Sequence, residues 1–295
     1  QGAAERVTMI GRDARTSPSL AALFNGAAAH ALDYDDTNFK AFGHVSAALI
    51  PALLALAEDL DVSGERFLTG LVAGFEASGR AGSLVSDAHY ERGFHSTGTI
   101  GTFAAAGACA NLAGLDAYST AMAFGISAAQ AAGIKSMFGT MCKPLHAGKA
   151  AQNGLLAVSL AKRGFVSNPD ALECQQGFAR THSPVICPEA AMAEAEAGFY
   201  IRHNLFKYHA SCYLTHAPAK CAIRLRTEHG ISPENIAEIR IGLEPAGEGT
   251  CDIRNPQTGL EAKFSVAQVV ALELAGFDTS SLEPFSGRGI ESPIL

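Results

Sequence analysis

The chain contains no tryptophan, few charged residues (17%) and no run of lysine or arginine. Its net charge is −7. A surface that binds phosphates needs a basic stripe, so nucleic acid is excluded as an expected partner. No apolar segment of about 18 uncharged residues occurs, which excludes the usual membrane-spanning helix. The strongest run, Val45 to Ala57, is too short and ends at Glu58. The seven cysteines form no CxxC pair and follow no regular spacing. That argues against a disulfide framework or a zinc knuckle and predicts free thiols in a reducing cytoplasm. No secretory signal is visible, although the chain opens at Gln1.

What remains is largely small and apolar. Hydrophobic residues make up 48% of 295, with 30 glycines. Small side chains let helices approach closely, so the expected fold is mainly α, with helices packed on helices around a large core. The pattern predicts helices over 20–32, 45–60, 65–89, 97–112, 116–132 and 147–163. Pro51 should kink or restart the second, and Gly164 should close the last. The inner helices of such a bundle must be buried on all sides. Beyond about residue 200 the pattern becomes mixed. A helix is expected over 213–229, a half-exposed strand over 238–244 and another helix over 262–275. Two domains follow: 1–203, large and all-helical, and 204–295, a smaller α+β unit. One strand cannot make a stable sheet, so the second domain is expected to be truncated in this chain.

Polar residues gather in four places. The first is Asn25-Gly-Ala-Ala-Ala-His30-Ala-Leu-Asp33-Tyr-Asp35-Asp36-Thr37, followed by His44. Asp33, Asp35 and Asp36 could ligate magnesium or calcium, but the spacing of a calcium loop is missing. A second reading has Asp36 or Thr37 capping the next helix. The preferred reading makes the aspartates partners of pocket cations and imidazoles, with Asp33 orienting the others and Thr37 near the substrate. His44 precedes a helix whose free N–H groups attract anions, where it could bind a carboxylate or move a proton. His95, in Gly93-Phe-His-Ser-Thr-Gly-Thr-Ile-Gly101, stands in a similar junction. The glycines there do not make a phosphate loop, because the lysine and the preceding strand are missing. In Phe138-Gly-Thr-Met-Cys-Lys143-Pro-Leu-His146-Ala-Gly-Lys149, cations sit at a helix start against the dipole, a conflict that an anion would relieve. In Lys207-Tyr-His-Ala-Ser-Cys212-Tyr-Leu-Thr-His216, Lys207 could hold a carboxylate. Cys212 and His216 lie one helical turn apart, so a thiolate beside an imidazole could act as a base.

These segments, with Glu261-Ala-Lys-Phe-Ser265, resemble the motifs of the MmgE/PrpD family of 2-methylcitrate dehydratases, cis-aconitate decarboxylases and iminodisuccinate epimerases. They run in the family's order over nearly the whole chain. The resemblance implies a helical domain with a smaller α+β lid, a pocket between them, a homodimer, and neither a metal nor another cofactor. By motif position it places Asp33, Thr37, His44, His95, Lys143 and Lys207 in the site. The family's decarboxylases carry a histidine near the position of Cys212, which is closer to the epimerase pattern.

The expected function is therefore a cofactor-independent lyase of the dehydratase type, acting on a small di- or tricarboxylic acid by removing a proton beside a carboxylate. Asp33, His44, His95, Lys143, Lys207 and Cys212 are the candidate catalytic residues. Thr37, His146 and His216 are the candidate substrate-binding residues. The alternatives are an epimerase or racemase with two bases, one of them Cys212, and a non-catalytic carboxylate-binding protein.

Overall fold

The computed structural model describes residues 5–196, 198–244 and 249–286. It forms two units, and the chain passes between them more than once. The first unit comprises 1–30, 35–134 and 144–206; the second comprises 31–34, 135–143 and 207–295. The molecule is mainly helical, with small sheets, as the composition led us to expect.

The first unit is organised around one helix. Helices α1 (Pro18–His30), α2 (Val45–Leu60), α3 (Gly64–Glu91), α4 (Ser96–Ala113) and α5 (Ala117–Ala128) follow one another, and α6 runs Cys142–Ala161. Almost every residue of α4 is buried, including Thr97, Thr99 and Thr102. Its small residues make this possible: α2, α3 and α5 pack against it, and Gly154 of α6 closes on Ala105. The expected all-round burial of an inner helix is met here. Gly114, at φ +67°, ends α4 in the left-handed conformation that glycine adopts without strain. Helices α1 and α6 cross at a pair of glycines. A Cβ on Gly26 would lie 2.8 Å from the Gly148 Cα, and one on Gly148 would meet the Leu23 carbonyl oxygen.

Two boundaries differ from expectation. Helix α2 continues through the buried Pro51 without restarting. Helix α3 is interrupted at Ser86, which has φ 55° and ψ −172°. Two-residue strands β1 (Val7–Thr8) and β2 (Arg15–Thr16) pair antiparallel. So do β3 (Thr37–Asn38) and β4 (Asn204–Leu205), with Thr37 opposite Leu205. Short helices α7 (Phe178–His182) and α8 (Pro188–Met192) complete this unit.

In the second unit a 3-10 turn over Tyr213–Thr215 leads into α9 (His216–His229), which packs against α11 (Val266–Leu274). Helix α10 (Gly259–Ala262) carries a capping box between Thr258 and Glu261. The helix expected over 262–275 is α11, which begins at Val266, and α10 precedes it. The strand expected over 238–244 is not formed; these residues have no regular structure. Their alternation of residue types is not an alternation of burial, since Ile239 and Leu243 are both exposed. Ile239 and Ile241 line an apolar cavity of about 420 Å³ with Ala222 and Leu225 of α9 and Val270 of α11.

Candidate functional site

The candidate residues fall into two clusters, one in each unit. In the second unit, two buried lysines share one buried carboxylate, and a third buried lysine lies within its electrostatic reach. Asp33 sits in the left-handed region at φ 52°. Its carboxylate accepts from the Lys143 ammonium at 2.6 Å and lies 3.2 Å from that of Lys207. Lys207 also donates to the Asp33 carbonyl at 2.8 Å. Lys143 is second in α6 and lies over the rings of Phe138 and Phe264, at 5.7 and 5.1 Å. Asp33 answers the unfavourable placement of this cation at a helix start. The third lysine, Lys263, was absent from our candidate residues. It donates to the carbonyls of Leu32 (2.8 Å) and Ala210 (2.6 Å). Burial pushes its ammonium down to about 8; Asp33 opposes the fall, while Lys207 and Lys143 add to it. The only signal for Lys263 in the sequence was its place in the motif Glu261–Ser265.

Cys212 is buried in the same unit, just ahead of the 3-10 turn. Its side chain is hydrogen-bonded to that of Cys251, a residue we had not singled out. His216 does not appear among the groups acting on the Cys212 thiol. Its ring contacts those of His209 and Tyr213 instead, each at 5.0 Å. Burial lowers the His216 imidazole to about 4, with His209 and Lys207 adding to the shift, so it is neutral near pH 7. His209 is bonded to Thr279 at 2.7 Å, and Thr279 donates to the buried Glu273 at 2.5 Å.

The first unit holds a cluster of imidazoles. His30, at the end of α1, is bonded through Nδ1 to Asp35 at 2.6 Å. Its ring lies 4.8 Å from that of His44 and 5.8 Å from that of His95. His44 precedes α2; its Nδ1 donates to the Asp36 carbonyl at 2.6 Å, and its N–H donates to Thr97 Oγ1 at 3.0 Å. His95 precedes α4 and meets His146 through their Nδ1 atoms at 2.9 Å, so one ring donates and the other accepts. Thr37 is buried in β3. Asp36 accepts from the Ser46 hydroxyl (2.6 Å) and N–H (3.2 Å), which makes it the cap of α2. Burial raises the Asp36 carboxyl to about 6, and nearby Asp35 adds to the rise against the bonds from Ser46.

The three aspartates therefore have three jobs. Asp33 binds lysines, Asp35 orients an imidazole and Asp36 caps a helix. The carboxylate holding a histidine is Asp35, and the histidine is His30. Ligand atoms of His30, Asp35 and His44 lie within 4.8 Å of one another, a donor set that suits a transition metal ion. The short His30 to Asp35 contact also serves as an orienting hydrogen bond.

One unit thus holds a lysine cluster and the other an imidazole cluster. Residues 1–186 match the MmgE/PrpD N-terminal domain and residues 209–293 the C-terminal domain. The chain belongs to the MmgE/PrpD family. It is 34% identical to human cis-aconitate decarboxylase over 187 residues, 61% of this chain and 39% of that protein. It is 29% identical to the cis-aconitate decarboxylase-like protein oryM of Aspergillus oryzae, covering 97% of this chain and 64% of oryM. Cis-aconitate decarboxylase of Aspergillus terreus is 28% identical, over 90% and 59% respectively. The chain spans less than two thirds of the length of these relatives.

Proposed function

We propose that the protein is a lyase of the dehydratase type for a small di- or tricarboxylic acid. The observation that carries this reading is the charge imbalance around Asp33. Lys143 and Lys207 bring two buried ammonium groups to one buried carboxylate, and the buried Lys263 adds positive potential. Buried charge is costly unless balanced, and substrate carboxylates would supply the missing negative charge. The names of the relatives support a carboxylic acid as the substrate class.

In this reading the lysines hold the substrate carboxylates and draw charge from the adjacent carbon as its proton leaves. Cys212 is the base. His216 contacts substrate, and a general acid delivers a proton to the departing hydroxyl. Water and an alkene result. A second reading, an epimerase or racemase, is favoured by the thiol at 212, because that chemistry needs a second base.

A panel of hydroxy- and amino-dicarboxylates and tricarboxylates in deuterium oxide, followed by NMR, tests both. The lyase reading expects an alkene product. Lys143→Ala should cut kcat/KM on the order of 100-fold, as for a lost buried charge contact of about 3 kcal/mol. Deuterium entering recovered substrate of both configurations, with no alkene, would establish the epimerase instead. Ligand-induced thermal stabilisation without any turnover would leave a binding protein.

A further inference from the structure

We infer that Glu273 and Thr279 lock His209 in a single tautomer, and that His209 is a positioning residue which sets the His216 ring so that its buried Nε2 accepts a hydrogen bond from the ligand. The part played by His216 rests on the substrate contact given to it above; the lock on His209 does not.

The lock begins at a buried carboxylate. Glu273 lies in α11 and is 2% exposed, and Thr279, beyond the end of that helix, is also buried. The Glu273 Oε1 accepts from the Thr279 hydroxyl at 2.5 Å and from the Thr279 N–H at 3.1 Å. A threonine hydroxyl has one proton. With that proton given to Glu273, the Thr279 oxygen must accept from His209 Nδ1, 2.7 Å away. The His209 proton therefore sits on Nδ1. Glu273 Oε1 is itself 3.8 Å from that nitrogen and favours a proton there. The Ala210 N–H donates to the Thr279 carbonyl at 3.0 Å, so the backbone beside His209 is tied to the same residue. A buried carboxylate is unfavourable as mere filling, whereas a carboxylate–hydroxyl–imidazole chain fixes both the tautomer and the direction of a ring.

The ring next to the lock is that of His216. It meets His209 edge to face, at 5.0 Å and 86°, and Tyr213 lies 5.0 Å from it as well. His216 is thus held between two rings, one of which is not free to turn. The Ser211 carbonyl takes the N–H of the His216 ring. Its Nε2 is buried and has no hydrogen-bond partner among the described residues. A neutral imidazole has one N–H and one bare nitrogen, so this Nε2 is an acceptor, and buried acceptors are seldom left unpaired. Lys207 and Asp33 both act on the same ring, which places the acceptor beside the lysine cluster. An acid held on Lys207 by one carboxylate can turn a hydroxyl towards Nε2; a second ionised carboxylate has no proton to offer there. His216 selects for a donor on the ligand, not for its charge.

The test joins a spectrum to a binding measurement, both near pH 7 on the full chain. Proton–nitrogen correlation spectra of isotope-labelled histidine separate protonated from bare ring nitrogens, with signals assigned by their loss in His209→Gln and His216→Gln. Both rings should be protonated at Nδ1 and bare at Nε2. Thr279→Val should mix the His209 tautomers, and Thr279→Ser should restore the single one. In calorimetry, citrate should bind about tenfold more tightly than tricarballylate, which lacks only the hydroxyl, as for one buried hydrogen bond. Thr279→Val should lose most of that preference and leave tricarballylate binding nearly unchanged. A His209 ring that is mixed or protonated at Nε2 in the natural protein overturns the lock, with no variant needed. A His216 ring protonated at Nε2, or equal binding of the two acids, overturns the role of His216 and leaves the lysines as an anion site. Binding of neither acid overturns the carboxylic-acid reading and the role of His216 with it, while the lock is still decided by the spectra.

Discussion

Asp33 is the residue on which the second unit's electrostatics turn. Its neutralisation takes from Lys143 and Lys207 the carboxylate they share, a loss of the kind that costs about 3–5 kcal/mol. Asp33→Asn should therefore lower the melting temperature in plain buffer. A tricarboxylate such as citrate should restore more stability to the variant than it adds to the natural protein, because the anion then replaces the charge that Asp33 supplied. Equal shifts in a thermal-shift titration would count against the lysine cluster as an anion site. Individual residues were legible in the sequence where their chemistry was anomalous. Lys143 and Lys207 stood out as cations among apolar neighbours. Lys263 and Cys251 did not, because each is ordinary in its own segment and acquires meaning only from residues far along the chain. His30 was hidden differently, as the last residue of a helix whose burial no local pattern announces.

At the scale of elements, the helices of the first unit were readable because runs of alanine and glycine between capping residues have few other uses. The same small residues determine how closely the helices sit. The Gly26 and Gly148 crossing leaves no room for a methyl group on either side. Gly148→Ala should destabilise the protein by about 1–3 kcal/mol, the usual range for overpacking, although alanine is the better helix former. Urea unfolding that finds Gly148→Ala equal to or more stable than the natural protein would refute the close crossing of α1 and α6. The segment 238–244 failed as a strand for an instructive reason. Alternation of residue types need not become alternation of burial: Ile239 and Leu243 are exposed, and Glu238 and Arg240 line the same cavity as Ile239 and Ile241. Helix α11 separated from α10 because Ser265 caps it, its side chain accepting from the Gln268 N–H.

For the whole molecule, buried titrating groups set the response to acid. His89 is held neutral by burial, down to about 4, and His216 likewise. A lowered histidine contributes stability that is present above about 6.5 and is lost as pH falls towards 4. Asp36 acts with the opposite sign: its raised carboxyl favours the folded state below about 3.8, a contribution lost as pH rises through about 6. Between pH 6 and 4 the two effects partly cancel. Asp36→Asn, which keeps an acceptor for Ser46, should remove the compensation and make the melting temperature fall more steeply on acidification. Parallel curves for the two proteins would show that Asp36 does not titrate as its burial implies.

The route of the chain through the two units has a consequence for how this protein can be divided. The family's two domains meet, in sequence, somewhere between residues 186 and 209. A gene split or a protease cut there would send Asp33 and Lys143 with one fragment and Lys207, Lys263, Cys212 and Cys251 with the other. Lys143 would keep its ion pair with Asp33, but Lys207 would lose that carboxylate. Recombining halves of different family members at that boundary would thus exchange one side of an ionic assembly without the other. Viable chimeras should be those in which the short stretches 31–34 and 135–143 are transplanted along with 207–295.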